Sequence, residues 1–177
     1  MLKIFKDNPL NLKTLTKMVI FFLAILSLFM SLIFITDFDT TKVALIYLHP
    51  NEPIITGLIH DVVLAIIILF LALIPIPKLF MVVPFLNALV FGFIFPILII
   101  NPNTAIARSL MNNMLNSILV LLSFLIACTI ANFVNVSVCK KVYKHQSIRL
   151  KDVIKQAAKL YFLYAFPVLI ISLLFIS

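Results

Sequence analysis

Long apolar runs separated by short polar segments set the organisation of this chain. Residues 18–36 (MVIFFLAILSLFMSLIFIT) carry no charge and follow a segment holding Lys3, Lys6, Lys13 and Lys17. A helix of about 20 apolar residues crosses a bilayer core, so this run reads as a first span. It is longer than a secretory h-region and no A-x-A-like site follows it, so it is expected to stay uncleaved. Residues 37–61 hold four of the six acids and are broken by Pro50 and Pro53. They read as a loop with a turn of helix around 43–47. Val62 to Ile100 is apolar for 39 residues apart from Lys78. As one helix it would measure about 58 Å, too long for a single crossing. Pro75-Ile76-Pro77-Lys78 divides it, because two prolines without N–H groups next to the one charge mark a tight turn. The second and third spans are then 62–76 and 79–100.

Asn101-Pro-Asn-Thr104 stops the third span, and the mixed stretch 105–116 leads to a fourth span at 117–138. A basic loop at 139–159 precedes a fifth span at 160–176. Within that loop Ser147 is placed to cap a helix. Leu150, Val153, Ile154, Ala157, Ala158 and Tyr161 follow a helical apolar stripe, with Arg149, Lys151, Lys155 and Lys159 off it. Two readings stay open: an interfacial helix extending its lysines to anionic lipid, or a docking surface for a cytoplasmic partner. Tyr161 and Tyr164 are expected at the headgroup level, as belt aromatics are.

Composition turns the pattern into a class. At 64% hydrophobic and 11% charged residues, with mean hydropathy +1.24, the chain has too much apolar surface for a soluble domain. The expected fold is an all-α polytopic membrane bundle of five transmembrane helices, one integral domain over 1–177. The formal charge of +8 does not point to nucleic acid, because the basic residues flank apolar runs. With the N-terminus in the cytoplasm, 12 of the 14 lysines and arginines lie inside and only Lys42 and Arg108 outside. The positive-inside bias therefore places the N-terminus in and the C-terminus out. Cys128 and Cys139 on one helix would stand roughly 16 Å apart, too far for a disulfide.

Polar residues inside apolar runs are the candidates for function. FLNALVFGF (85–93) holds one of the chain's two glycines. Membrane helices associate through close backbone approach and interhelical hydrogen bonds, and Ala88 and Gly92, four apart, form a small-residue face. Pro96 cannot donate to the Gly92 carbonyl, and Asn87 is placed to bond such a carbonyl across the bundle. These four residues read as a helix-packing seam, or as one wall of a substrate groove. Asn112, Asn113 and Asn116 form an outer polar face before the fourth span, Asn112 and Asn116 sharing one side of a helix. His49, Glu52, His60 and Asp61 in the outer loop are metal-binding types without a zinc-site spacing, so no metal is expected. No HExxH, GxSxG or phosphate-cradling loop is present. Every acid falls in a loop or at a span end on this reading, which leaves no intramembrane relay. No cofactor and no enzymatic activity are expected.

His60-Asp61 opening the second span, Asn87-Ala88-x-x-x-Gly92 in the third and Leu110-Met-Asn-Asn-Met-Leu-Asn116 before the fourth together resemble the stage II sporulation protein M family of five-span membrane proteins. In that family the second span tends to open on an Asn-Asn-like pair, and the third carries an Asn-Gly-x-x-x-Gly pattern. A Pro-His-Gly-x-x-Glu-like motif precedes the fourth. The likeness covers residues 57–132. Ala88 replaces the first glycine, and Asn112 and Asn116 stand where the family often has its His and Glu, which removes an ionisable role there.

The resemblance implies a subunit of the bacterial cytoplasmic membrane in one of two settings. In spore engulfment the founding member scaffolds peptidoglycan hydrolases. In circular-bacteriocin clusters a small member accompanies an ATP-binding-cassette ATPase in maturation, export or self-protection. The short outer loop of 25 residues (37–61) favours the second. Expected partners are membrane lipid, other membrane subunits, a cytoplasmic ATPase contacting Arg149, Lys151, Lys155 and Lys159, and a hydrophobic peptide. A stand-alone transporter fits poorly, since five spans give no even inverted repeat.

Overall fold

Every regular element is helical among the residues that the computed structural model describes, namely 12–36, 54–100, 107–108, 111 and 114–175. Helix α1 spans Leu12–Thr36, α2 Ile54–Ala72, and a 3-10 turn at Leu79–Met81 opens α3, Val82–Ile100. Helix α4 spans Met114–Tyr143. Helix α5, Leu150–Leu160, passes through a π turn at Tyr161–Ala165 into α6, Phe166–Ser172, and a last 3-10 turn at Leu173–Phe175. Three helical stretches, Lys13–Thr36, Met114–Tyr143 and Leu150–Phe175, are long and apolar enough to cross a membrane. Ile59–Ala72 and Leu79–Gly92 are shorter apolar stretches. The outer surface matches: Ile35, Leu174 and Phe70 are 81%, 79% and 65% exposed. A water-soluble fold does not present large side chains this way. The chain is a membrane protein.

Helix α4 is the centre. It packs on α1, α2, α3, α5 and α6, and its residues 123–131 are buried without a break. A helix apolar all round belongs inside other helices, and its polar side chains then need partners of their own. They have them. Thr129 and Ser137 donate to carbonyls one turn back, Leu125 and Phe133, each at 2.9 Å. Ser123 donates across the bundle to the Ala165 carbonyl at 2.9 Å.

The turn between α2 and α3 shows why α4 must be there. The last carbonyls of a helix lack intrahelical donors, and Pro75 and Pro77 supply none. Leu73 and Ile74 donate back to Phe70 and Leu71. The Asn135 amide of α4 then donates to the carbonyls of Ala72, Ile74 and Ile76 at 3.2, 3.0 and 3.1 Å. Two amide hydrogens serve three acceptors, so one is shared. Asn135 Oδ1 in turn accepts the Lys78 N–H at 3.0 Å, where Lys78 holds a left-handed φ of 62°. The Tyr143 hydroxyl, at the end of α4, donates to the Pro75 carbonyl.

Several expected boundaries shift. Helix α2 begins at Ile54, so residues 54–61 are helical rather than loop. Helix α4 extends beyond 117–138 at both ends, and the helix holding the fifth span starts at Leu150 rather than 160. The non-helical part of the basic loop shrinks to 144–149. Ser147 does not cap α5: Arg149 is the capping position and no side chain bonds there. Both cysteines lie on α4, Cys128 buried and Cys139 half-buried.

The π turn has a local cause. Pro167, just inside α6, lacks an N–H, and the helix widens ahead of it so that the Phe166 N–H reaches the Tyr161 carbonyl five residues back. The widened backbone is where Ser123 bonds. Helices α1 and α3 pair in parallel: Met18 shares a contact region with Met81, and Phe29 lies beside Gly92.

Candidate functional site

The small-residue face of α3 rests on α1. A methyl group placed at Gly92 would stand 2.7 Å from the Cβ of Phe29, with the Leu26 carbonyl oxygen at 3.7 Å and the Met30 nitrogen at 3.8 Å. Contact that close leaves no room for a side chain. Ala88 and Pro96 are fully buried on the same helix. Aromatic rings flank the contact, with Phe22 edge-on to Phe91 and Phe29 edge-on to Phe85, both at 6.4 Å between centroids.

Asn87 departs from expectation. Its Nδ2 donates to the Val83 carbonyl of its own helix at 3.1 Å, not to a carbonyl across the bundle. A short amide in a helix can satisfy itself one turn back, and in an apolar setting that bond is always within reach. The packing contact therefore rests on Gly92 and Ala88.

Of the outer polar face, Asn112 and Asn113 lie outside the described residues. Asn116 is half-buried, and its Oδ1 is enclosed with no hydrogen-bond partner among the described residues. An enclosed amide oxygen without a donor is costly, so it is a position prepared for one.

The basic segment is part of the bundle. Val153 and Ala157 are buried against α4, whereas Arg149, Lys151, Lys155 and Lys159 are all exposed. The helix is thus fixed by its apolar stripe and turns its charges outward. Tyr161, expected at the headgroup level, is instead 4% exposed inside the protein, while Tyr164 is exposed.

That burial creates a cluster which the sequence did not announce. Asp61 lies seven residues into α2 and is largely buried, with its Oδ1 3.5 Å from Nδ1 of His60. It stands eleven residues before Ala72, about 16 Å up the helix axis from the end capped by Asn135. The Tyr161 hydroxyl is enclosed, has no hydrogen-bond partner among the described residues, and lies within electrostatic reach of Asp61. A carboxylate inside a bundle is costly, and a phenolic donor facing it is a group that can offset the cost. His60 keeps 68% of its side chain exposed on the outside of the same helix. The statement that every acid sits in a loop or at a span end is therefore corrected: Asp61 is within a helix of the bundle. Helix α2 starts at Ile54 rather than at Val62, and that brings Asp61 into it.

The cluster contains an acid, a phenol and an imidazole, with no aligned nucleophile among them. No family model matches this chain, and no curated protein or solved structure matches it either.

Proposed function

We propose that this chain is a non-enzymatic, five-span subunit of a membrane complex, with its N-terminus in the cytoplasm and its C-terminus outside. It would work with a cytoplasmic ATPase in the maturation, export or self-protection of a membrane-active peptide of the circular-bacteriocin type. The five-span count takes α2 and α3, of 19 residues each, as crossings. At about 28 Å each they match the thickness of a bilayer core. The orientation rests on the positive-inside bias. The setting rests on the resemblance of residues 57–132 to the sporulation protein M family.

The single observation that carries the subunit reading is the basic face of α5. That helix buries Val153 and Ala157 and presents Arg149, Lys151, Lys155 and Lys159 outward from a base held on α4. A fixed charged face suits protein docking, because little side-chain and backbone freedom is lost on binding. The test changes Arg149, Lys151 and Lys155 together to Glu. The variant should insert as wild type does but no longer co-purify with the ATPase. A wild-type protein that retains cell-wall hydrolases and no cytoplasmic partner would replace this reading with the engulfment scaffold.

A further inference from the structure

An open apolar groove runs between α2 and α5. Ile66, Leu69, Phe70 and Leu73 form one wall, Ile154, Ala157 and Ala158 the other, and Val134 of α4 the floor. Phe70 and Ile154 stand at the rims, both exposed. The groove exists because α5 carries alanines where α2 carries large side chains, so the two helices lean on α4 and leave a channel between them. The space within it is about 200 Å³, room for a segment of a hydrocarbon chain.

The charge around its basic end is net positive, Lys151 and Lys155 outnumbering Asp152. On α5, Lys151 precedes Ile154 by three residues and Ala158 by seven, so it lies on the same face one turn nearer the basic end. Lys155 precedes Ala158 by three and borders that face. Both are exposed. A ligand lying along the groove would have an apolar body, with an anionic head at the lysine end.

We propose that the groove is a binding site for one acyl chain of an anionic phospholipid, whose headgroup phosphate is held by Lys151 and Lys155. The inference rests on the bilayer placement under Proposed function, with the basic end at the cytoplasmic leaflet, and not on the peptide-handling role. Apolar surface anywhere on the protein meets lipid; here a concave apolar channel lies beside Lys151 and Lys155. Each lysine close to an anionic lipid surface favours binding by about 1 kcal/mol, roughly fivefold, so a retained lipid should be selected by its charge.

The test uses the full chain, purified in mild detergent and incubated with equal amounts of phosphatidylglycerol and phosphatidylethanolamine, then washed. Wild type should retain about one phosphatidylglycerol per chain, preferred at least roughly fivefold over phosphatidylethanolamine. Ala158→Phe, which fills the channel without changing charge, should lose most of that retention. Ile170→Phe, at an exposed position of α6, should keep it. The proposal is overturned if wild type retains the two lipids equally or not at all, which needs no variant to fold. It is also overturned if Ala158→Phe, still monodisperse, holds phosphatidylglycerol as wild type does, or if the groove is occupied by a co-purifying apolar peptide. Carbonate extraction of membranes separates the two failures: an inserted chain that holds no lipid overturns the groove alone, whereas a chain that is washed off overturns the bilayer placement.

Discussion

The backbone N–H of Lys78 donates to Oδ1 of Asn135 at 3.0 Å across 57 positions of sequence. With three carbonyls on its Nδ2, one buried side chain on α4 thereby terminates α2 and starts the approach to α3.

Asn135→Leu should therefore destabilise the protein by about 2–3 kcal/mol, since it strips the amide donor from the Ala72 and Ile74 carbonyls and the acceptor from the Lys78 N–H. Asn135→Asp should be at least as harmful, because a carboxylate faces those carbonyl oxygens with lone pairs instead of hydrogens. Unfolding in mixed micelles followed by circular dichroism measures both. Wild-type stability in Asn135→Leu would show that water or a neighbour holds the turn.

Bulk at the contact between α1 and α3 gives a second outcome. Gly92→Leu should cost about 1–3 kcal/mol, because the Cβ position already meets Phe29 at 2.7 Å. Leu86→Phe, which adds bulk on an exposed part of the same helix, should be tolerated. Thermal melts in one detergent compare them directly. Equal tolerance would remove α1–α3 packing as a determinant of the fold.

Tyr161 gives a prediction of opposite sign. Its hydroxyl is enclosed without a bond, so Tyr161→Phe should leave stability unchanged or raise it by up to about 1 kcal/mol. If the protein relies on the Asp61–Tyr161 cluster, partner-dependent function should fall in this variant although the fold persists. A marked loss of stability would mean that the phenol does bond within the bundle.

Reporter fusions test the arrangement in the bilayer. Fusions after Lys17, Asn51, Lys144 and Ser177 should read in, out, in and out, as five spans and the positive-inside bias require. Ser177 reading inside would mean an even number of crossings, with a span miscounted around Pro75 to Pro77.

Much of this architecture was legible because a membrane simplifies the code. Uncharged runs separate from charged segments, and Pro75, Pro77 and Lys78 mark the turn between α2 and α3 without any knowledge of packing. Gly92 stood out because so few glycines occur. Three features were not legible, each for a physical reason. Residues 54–61 include Thr56, Gly57, His60 and Asp61 and so read as loop, yet they form the first turns of α2, which places Asp61 in a helix. Asn135 looks like one more polar residue near a span end, because its role lies in backbone groups 57 to 63 positions away. Tyr161 sits at belt spacing from the basic segment, and the π turn ahead of Pro167 helps set the direction it faces.

The Asn135 clasp also bears on how the protein is made. The α2–α3 hairpin is synthesised before Asn135, and until α4 packs on it the Ala72 and Ile74 carbonyls lack the donor that Asn135 supplies. Arrival of α4 brings that amide to the turn, so the hairpin is closed only after it has been made. A nascent chain truncated before residue 135 would therefore carry both helices of the hairpin with an open end, a form that membrane quality-control proteases could tell from the finished protein.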